Sequence, residues 1–429
     1  MADSEAPLEN QAVLIDQERI KAVGPRSELE HLYPNAKIME LPNQVLMPGL
    51  INTHTHAAMN LLRGAADDLA LHDWLQNRIW PLEGALADDE FVFDGSVLAA
   101  SEMLKGGITT FNDMYFFPEQ TVRAALAVGS RVFAGIIAIE FPTRYGNGPD
   151  DYIKKSLAAR DEFAGESTVH WTVAPHAPYT VSDDTFKRLG LLAEELDLQI
   201  HCHLHETASE VTDGISRDGL RPFQRLDKLG LINERFLAVH GVHLNTSELE
   251  IMAQKGCTLV HCPSSNLKLA SGFAPTAQAL DLGVRVTVGT DGAASNNKLD
   301  LWDEARLGSL LSKGYAGNAT AWPAWKVLKS MTVDAAAALG KDHELGMVKS
   351  GYFADMISIE INDKAHQWPI NNLVSKLAYS GHSRDIVNVW VAGKLVVDTQ
   401  QLVGKAADLE AQTIRKAHRV WQTRIEQVS

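Results

Sequence analysis

From residue 45 to residue 312 the sequence alternates eight times between two kinds of segment. Short apolar, β-branched runs come first in each unit: VLMPGLINTH, ITTFND, RVFAGIIAI, TVHWTVAPH, LQIHCH, FLAVH, CTLVHC and VRVTVGTD. A stretch of helical character follows each one, and the spacing predicts helices over 88–106, 119–129, 150–164, 182–196, 208–229, 246–255, 275–282 and 300–312. Runs that are apolar throughout read as strands buried on both faces. Strand–helix alternation means a parallel sheet, and eight units in about 290 residues fit a (β/α)8 TIM-type barrel of the α/β class. The competing architecture is a doubly wound open sheet. It lacks support, because no GxGxxG follows the first strand.

The flanks of this region read differently. Residues 11–24 form a hairpin pattern and 36–47 a further strand. Beyond residue 340, GMVKSGYFADMISIEI and VNVWVAGKLVVD are short strands with Gly turns. Residues 1–47 and 341–404 therefore read as one small β-sandwich domain built from both termini. The barrel, 48–340, is inserted within it, with Pro48-Gly49 at the crossing. Residues 405–429 are a C-terminal helix. Residues 57–86 are a long connection carrying Trp74, Trp80 and Glu83, and long ordered loops are more often functional than not.

Bulk composition narrows the partners. The chain is 45% hydrophobic and 22% charged, with a net charge of −15 and no basic cluster. That excludes a nucleic-acid or anionic-membrane binder, since phosphates demand clustered Lys and Arg. No apolar stretch approaches the ~18 residues of a membrane span, and MADSEAPLEN has no leader pattern. Three cysteines with no CxxC pair predict a reducing compartment and a soluble cytoplasmic protein.

Chemistry in such a barrel belongs at the C-terminal ends of the strands, and the unusual residues fall there. Strand one ends in His54 and His56. Residues i and i+2 of a strand point the same way, so two imidazoles can face one point. Strand two ends at Asn112 and Asp113, strand four at His176, strand five in His201, His203, His205 and Glu206, strand six in His240 and His243, strand seven in His261, and strand eight in Asp291. Neutral imidazoles and a carboxylate suit a divalent metal, most naturally zinc. Iron or manganese would fit the same donors. The first shell that this pattern predicts is His54, His56, His203 and Asp291. It leaves Glu206, three residues past His203, as a proton shuttle over the site.

The segments PGLINTHTH, APHAPYT, HCHLHE, AVHGVHL, CPSSNLKLASG and GTDGAASNN, in this order, resemble the amidohydrolase superfamily over nearly the full chain. Within it the chain is similar to the cytosine and adenosine deaminase branch, and most to the 5-methylthioadenosine/S-adenosylhomocysteine deaminases. The resemblance implies a one-metal enzyme, because residues 168–180 lack the lysine that bridges two metals in binuclear relatives. It implies hydrolytic deamination of an adenine nucleoside to the inosine analogue, with Glu206, His240 and Asp291 catalytic. It places Trp74, Glu83, His176 and Arg144 with Glu206 against a small purine nucleoside substrate, and it implies a homo-oligomer, dimer or tetramer. Guanine deaminases and triazine-type hydrolases carry the same motifs and are the enzymatic alternative. A scaffold protein of this superfamily would lack members of the ligand set, and none is missing here.

Overall fold

The computed structural model describes residues 7–361 and 368–428. Eight parallel strands form one sheet in chain order: β1 (Leu50–Thr55), β2 (Ile108–Asp113), β3 (Arg131–Ala138), β4 (Val169–Pro175), β5 (Ile200–Leu204), β6 (Phe236–His240), β7 (Thr258–His261) and β8 (Arg285–Val288). Nearly all of their residues are buried, as the continuous apolar runs predict. The seam between β1 and β8 is closed by side chains instead of a regular ladder. Thr53 Oγ1 donates to Val288 O at 2.9 Å, Asn52 Nδ2 donates to Thr290 Oγ1 at 2.7 Å, and the Thr290 N–H returns to Asn52 Oδ1 at 3.0 Å. Asp291 N–H then reaches His54 O at 3.1 Å. The sheet is thus a closed TIM-type barrel, and its closure fixes the end of β8 against the end of β1.

The helices begin where the sequence offers caps. Asp88, Ser182, Thr207, Asn245 and Asp300 each accept a backbone N–H in the first turn of the helix that follows. Two expectations need correction. The single helix predicted over 208–229 is two, Ala208–Asp218 and Pro222–Lys228. Gly219 turns left-handed at φ +68°, and Pro222 starts the second helix, where its missing N–H costs nothing. The connection 57–86 is largely helical. It runs through a 3-10 turn (Ala57–Leu62), an α turn (Leu71–Trp74), a π turn (Leu75–Ile79) and a helix (Trp80–Leu86). The amphipathic helix near the C-terminus likewise contains a π turn, Ala417–Trp421, between Lys405–Lys416 and Gln422–Val428.

Both flanks of the barrel meet in a five-stranded antiparallel sheet, in the order Gln401–Leu402, Lys394–Asp398, Ile386–Val391, Met356–Glu360 and Gln44–Pro48. The hairpin Gln11–Asp16 and Arg19–Pro25 lies against it, burying Ile20 with Met356 and Trp390. The sandwich is anchored to the N-terminal rim of the barrel. Arg131, at the start of β3 and fully buried, makes a bidentate pair with Asp355 at 2.7 and 3.1 Å. Gly49 marks the crossing between the two parts, and a Cβ there would collide with Thr109. The opposite rim, where the strands end, is left open for the site. Among the described residues no helix is long and apolar enough to cross a membrane.

Candidate active site

Polar residues at the ends of β1, β5, β6 and β8 converge on one point at the C-terminal rim. His54 Nε2 and His56 Nε2 lie 3.2 and 3.3 Å from Asp291 Oδ1. The rings of His54 and His203 are 5.0 Å apart, and those of His203 and His240 are 5.4 Å apart. Two overlapping groups of donor atoms result. His54, His56 and Asp291 form one; His54, His203 and His240 form the other; within each, the ligand atoms lie within 4.8 Å of one another. The backbone at these ends is bent to achieve this. His205, His240 and Asp291 all take φ between +54° and +70°, a region non-Gly residues seldom occupy.

The far sides of the rings decide what the near sides offer. His56 Nδ1 contacts Met114 O at 2.6 Å and His203 Nδ1 contacts His176 O at 2.8 Å. A carbonyl can only accept, so both Nδ1 atoms carry the proton and, in the neutral rings, both Nε2 atoms are lone pairs. In the neutral ring the His56 lone pair would face the Asp291 carboxylate at 3.3 Å, two acceptors with no proton between them. A divalent cation resolves that conflict, and second acceptors behind ligating imidazoles are what such a site requires. The residues therefore fit the metal that the donor set implies. His240 is anchored through Nδ1 on Asn266 Oδ1 at 2.8 Å, and His54 through Nδ1 on His201 Nε2 at 2.8 Å.

Charge states follow from burial. Burial holds His54 down to about 4 and His176 to about 3, and it lowers His203 well below the usual histidine range, so these rings are neutral at pH 7. Burial alone would raise Asp291, but the hydrogen bond with His54 and the neighbouring His56 outweigh it and hold the carboxyl well below the usual range. Its Oδ2 accepts from Ser265 Oγ at 2.6 Å and Ser295 Oγ at 2.8 Å, and its Oδ1 accepts the Gly292 N–H at 2.8 Å. Glu206 is the opposite case. Burial, then the charge of Asp291, pushes it well above the usual carboxylate range, which favours its protonated form. It sits 3.7 Å from His240 Nε2. Two carboxyl groups in one site are thus shifted in opposite directions, the arrangement by which acid and base roles can be divided.

Above this floor lies a cavity of about 370 Å³. Trp74, Leu75, Ile79, Trp80, Ile139 and Phe141 make most of its walls apolar. Trp74 is buried, with Nε1 donating to Ala66 O at 3.0 Å. Glu83 lines the cavity, where burial raises it to about 7, and it accepts from Tyr115 Oη at 2.7 Å. His176 lines the floor, its Nδ1 paired with Thr180 Oγ1 at 2.9 Å. Arg144 stands at the mouth, with its guanidinium already engaged: Nη1 donates to Ala85 O at 3.0 Å and Nη2 to Asp88 at 3.2 Å.

Several rim histidines lie outside the cluster. His205 turns away to accept the Phe223 N–H at 3.1 Å, His243 Nε2 meets Ser271 O at 2.9 Å, and His261 packs beside Trp322. Asn112 bonds Thr53 O, and Asp113 accepts the Ala57 N–H, so both serve the barrel. Sequence reasoning missed Tyr115, Tyr179, Ser265 and Asn266. Tyr179 lines the cavity, and it sits in APHAPYT, as Ser265 and Asn266 sit in CPSSNLKLASG, so the motifs held the signal.

Comparison with known proteins gives the family. Residues 45–396 match the model of the amidohydrolase family, and residues 12–36 match the imidazolonepropionase-like composite domain of bacteria. A 5-methylthioadenosine/S-adenosylhomocysteine deaminase of Saccharophagus degradans is 42% identical over 97% of this chain and 93% of its own. The protein of that name from Thermodesulfovibrio yellowstonii is 41% identical over 93% of each chain. The crystal structure of an adenosine deaminase from Xanthomonas campestris with bound zinc superposes with a TM-score of 0.93 at 39% identity, over 98% of this chain and 94% of that one. A guanine deaminase from C. acetobutylicum shares the fold, with a TM-score of 0.79 at 21% identity over 89% of this chain and 94% of its own.

Proposed function

This chain belongs to the amidohydrolase family, and we propose on that premise that it deaminates the adenine ring of 5′-methylthioadenosine and S-adenosylhomocysteine, yielding the inosine analogue and ammonia. The observation that carries the reading is the placement of two buried carboxyl groups, Glu206 beside His240 and Asp291 beside His54 and His56, on the floor of an apolar cavity of about 370 Å³.

His54, His56, His203 and Asp291 would hold one divalent ion, with His240 beside it. Zinc, the ion best matched to these donors, would supply the Lewis acid that makes water nucleophilic at neutral pH. The side chains do the rest. Glu206 donates its proton to ring N1 of the adenine, which leaves C6 electrophilic. Asp291 accepts the proton that the attacking water gives up. His240, anchored through Nδ1 on Asn266 and held below the usual histidine range by burial, faces the new oxygen at C6. The proton taken up by Asp291 passes to the exocyclic amine and lets ammonia leave, while the C6 hydroxyl returns a proton to Glu206 as the carbonyl forms. Trp74 and the apolar wall cover the nucleoside, His176 lies beside the purine, and ionised Glu83, held by Tyr115, accepts from the ribose hydroxyls. The committed guanidinium of Arg144 gives it a place at the mouth instead of at the reacting ring.

Three buried, free cysteines support a reducing, cytoplasmic setting. The deciding assay follows the ultraviolet change of 5′-methylthioadenosine on deamination, with guanine and a chlorotriazine as controls. Turnover of the nucleoside alone supports the reading. Turnover of a control in its place moves the chain to the other branch of the family.

A further inference from the structure

Glu206 poses a mechanical problem. It must deliver a proton to one ring nitrogen, yet among the described residues its carboxyl takes no protein hydrogen bond; His240 Nε2 stands 3.7 Å from it. A side chain without bonds of its own is aimed by its backbone. That backbone is in an unfavourable conformation, because the preceding residue, His205, has φ +54°. A strained turn persists only when its surroundings over-determine it.

One side chain does most of this. Glu210, one turn further on and buried, places both carboxylate oxygens on successive amides: Oε1 accepts the His205 N–H at 2.8 Å and Oε2 accepts the Glu206 N–H at 2.8 Å. Glu210 is itself fixed, since it lies in the first turn of Ala208–Asp218, where Thr207 Oγ1 accepts its N–H at 3.2 Å. The rest of the His205 peptide is tied down as well. Its carbonyl accepts the His243 N–H at 2.9 Å, and its ring accepts the Phe223 N–H. Two N–H donors side by side need two acceptors side by side, and only an ionised carboxylate offers both on one short side chain.

We infer that Glu210 is a positioning residue for the proton transfer: it holds the 205–206 turn so that Glu206 points at the substrate ring. This rests on the deaminase reading above. The amide of Glu210→Gln keeps one acceptor and turns an NH2 against the second N–H. A displacement of about 1 Å at Glu206 is enough to slow the chemistry on the order of 100-fold.

The test is a double-mutant cycle on the metal-loaded protein with 5′-methylthioadenosine. Glu210→Gln should lower kcat by about 10- to 100-fold, leave KM within about threefold and retain the metal. In the Glu206→Gln background the same change should have little further effect, within about twofold, because the group it aims is already gone. A residue that merely supports the fold would lower both backgrounds alike. Glu210→Asp, which keeps both oxygens but retracts them by one methylene, decides the matter if the amide variant does not fold; its kcat should fall while KM holds. Unchanged kcat in these variants, or equal losses in both backgrounds, overturns the inference. If the unmutated protein deaminates no adenine nucleoside, the functional reading fails first and the inference falls with it.

Discussion

The floor and the mouth of the cavity are built on different principles. On the floor, each catalytic candidate except Glu206 is fixed by a hydrogen bond to a second group behind it: Met114 O for His56, His176 O for His203, Asn266 for His240, two serines for Asp291. At the mouth the contacts are apolar, as between Trp80 and Phe141, whose rings meet edge to face at 5.6 Å. The ion pair of Arg144 with Asp88 there is largely exposed. Directional bonds fix the geometry that chemistry needs. Apolar contact gives affinity that tolerates variation in the ligand. The contrast predicts that substitutions on the floor alter kcat and metal content, whereas those in the wall and mouth alter KM.

The largest effect should come from His54→Ala, which removes a member of both donor groups. Metal content and activity should fall together; full metal occupancy would take His54 out of the first shell. Next comes the wall. Glu83 is raised to about 7 by burial, and under the proposed function its ionised form is the one that would accept from ribose. As pH falls through about 7 it gains a proton, so KM for an adenine nucleoside should rise about tenfold per unit below that point. Glu83→Gln should abolish this dependence while leaving kcat nearly unchanged. A KM that is flat with pH in the unmutated protein would separate Glu83 from binding. The smallest effect belongs to Arg144→Ala. An exposed pair is worth about 0–1 kcal/mol, so KM for 5′-methylthioadenosine should change by less than about threefold, read from steady-state rates. A larger change would mean that the guanidinium leaves Asp88 to meet the substrate.

The same contrast explains what could be read from the sequence. The floor is written in strand ends, where a fixed period of two and a common rim translate position into place. His54 and His56 could be aimed from spacing alone, and the eight units that carry them follow one rule. The wall has no such period. Residues 57–86 pack apolar groups on both the barrel and the cavity, so the helical turns there leave no clear stripe. Partners across the fold were equally hidden. Tyr115 reaches Glu83 over 32 positions, and Ser265 reaches Asp291 over 26, distances that no local pattern encodes. The break at Gly219 was missed because apolar residues continue on either side of it.

The central claim is that a protonated Glu206 carries the reaction while imidazoles and Asp291 hold the metal. Glu206→Gln, assayed for kcat on 5′-methylthioadenosine and for bound metal in the same preparation, tests it most directly. The account predicts full metal occupancy with kcat reduced on the order of 10²–10⁴-fold. A variant that keeps its metal and turns over at nearly the parent rate would contradict it.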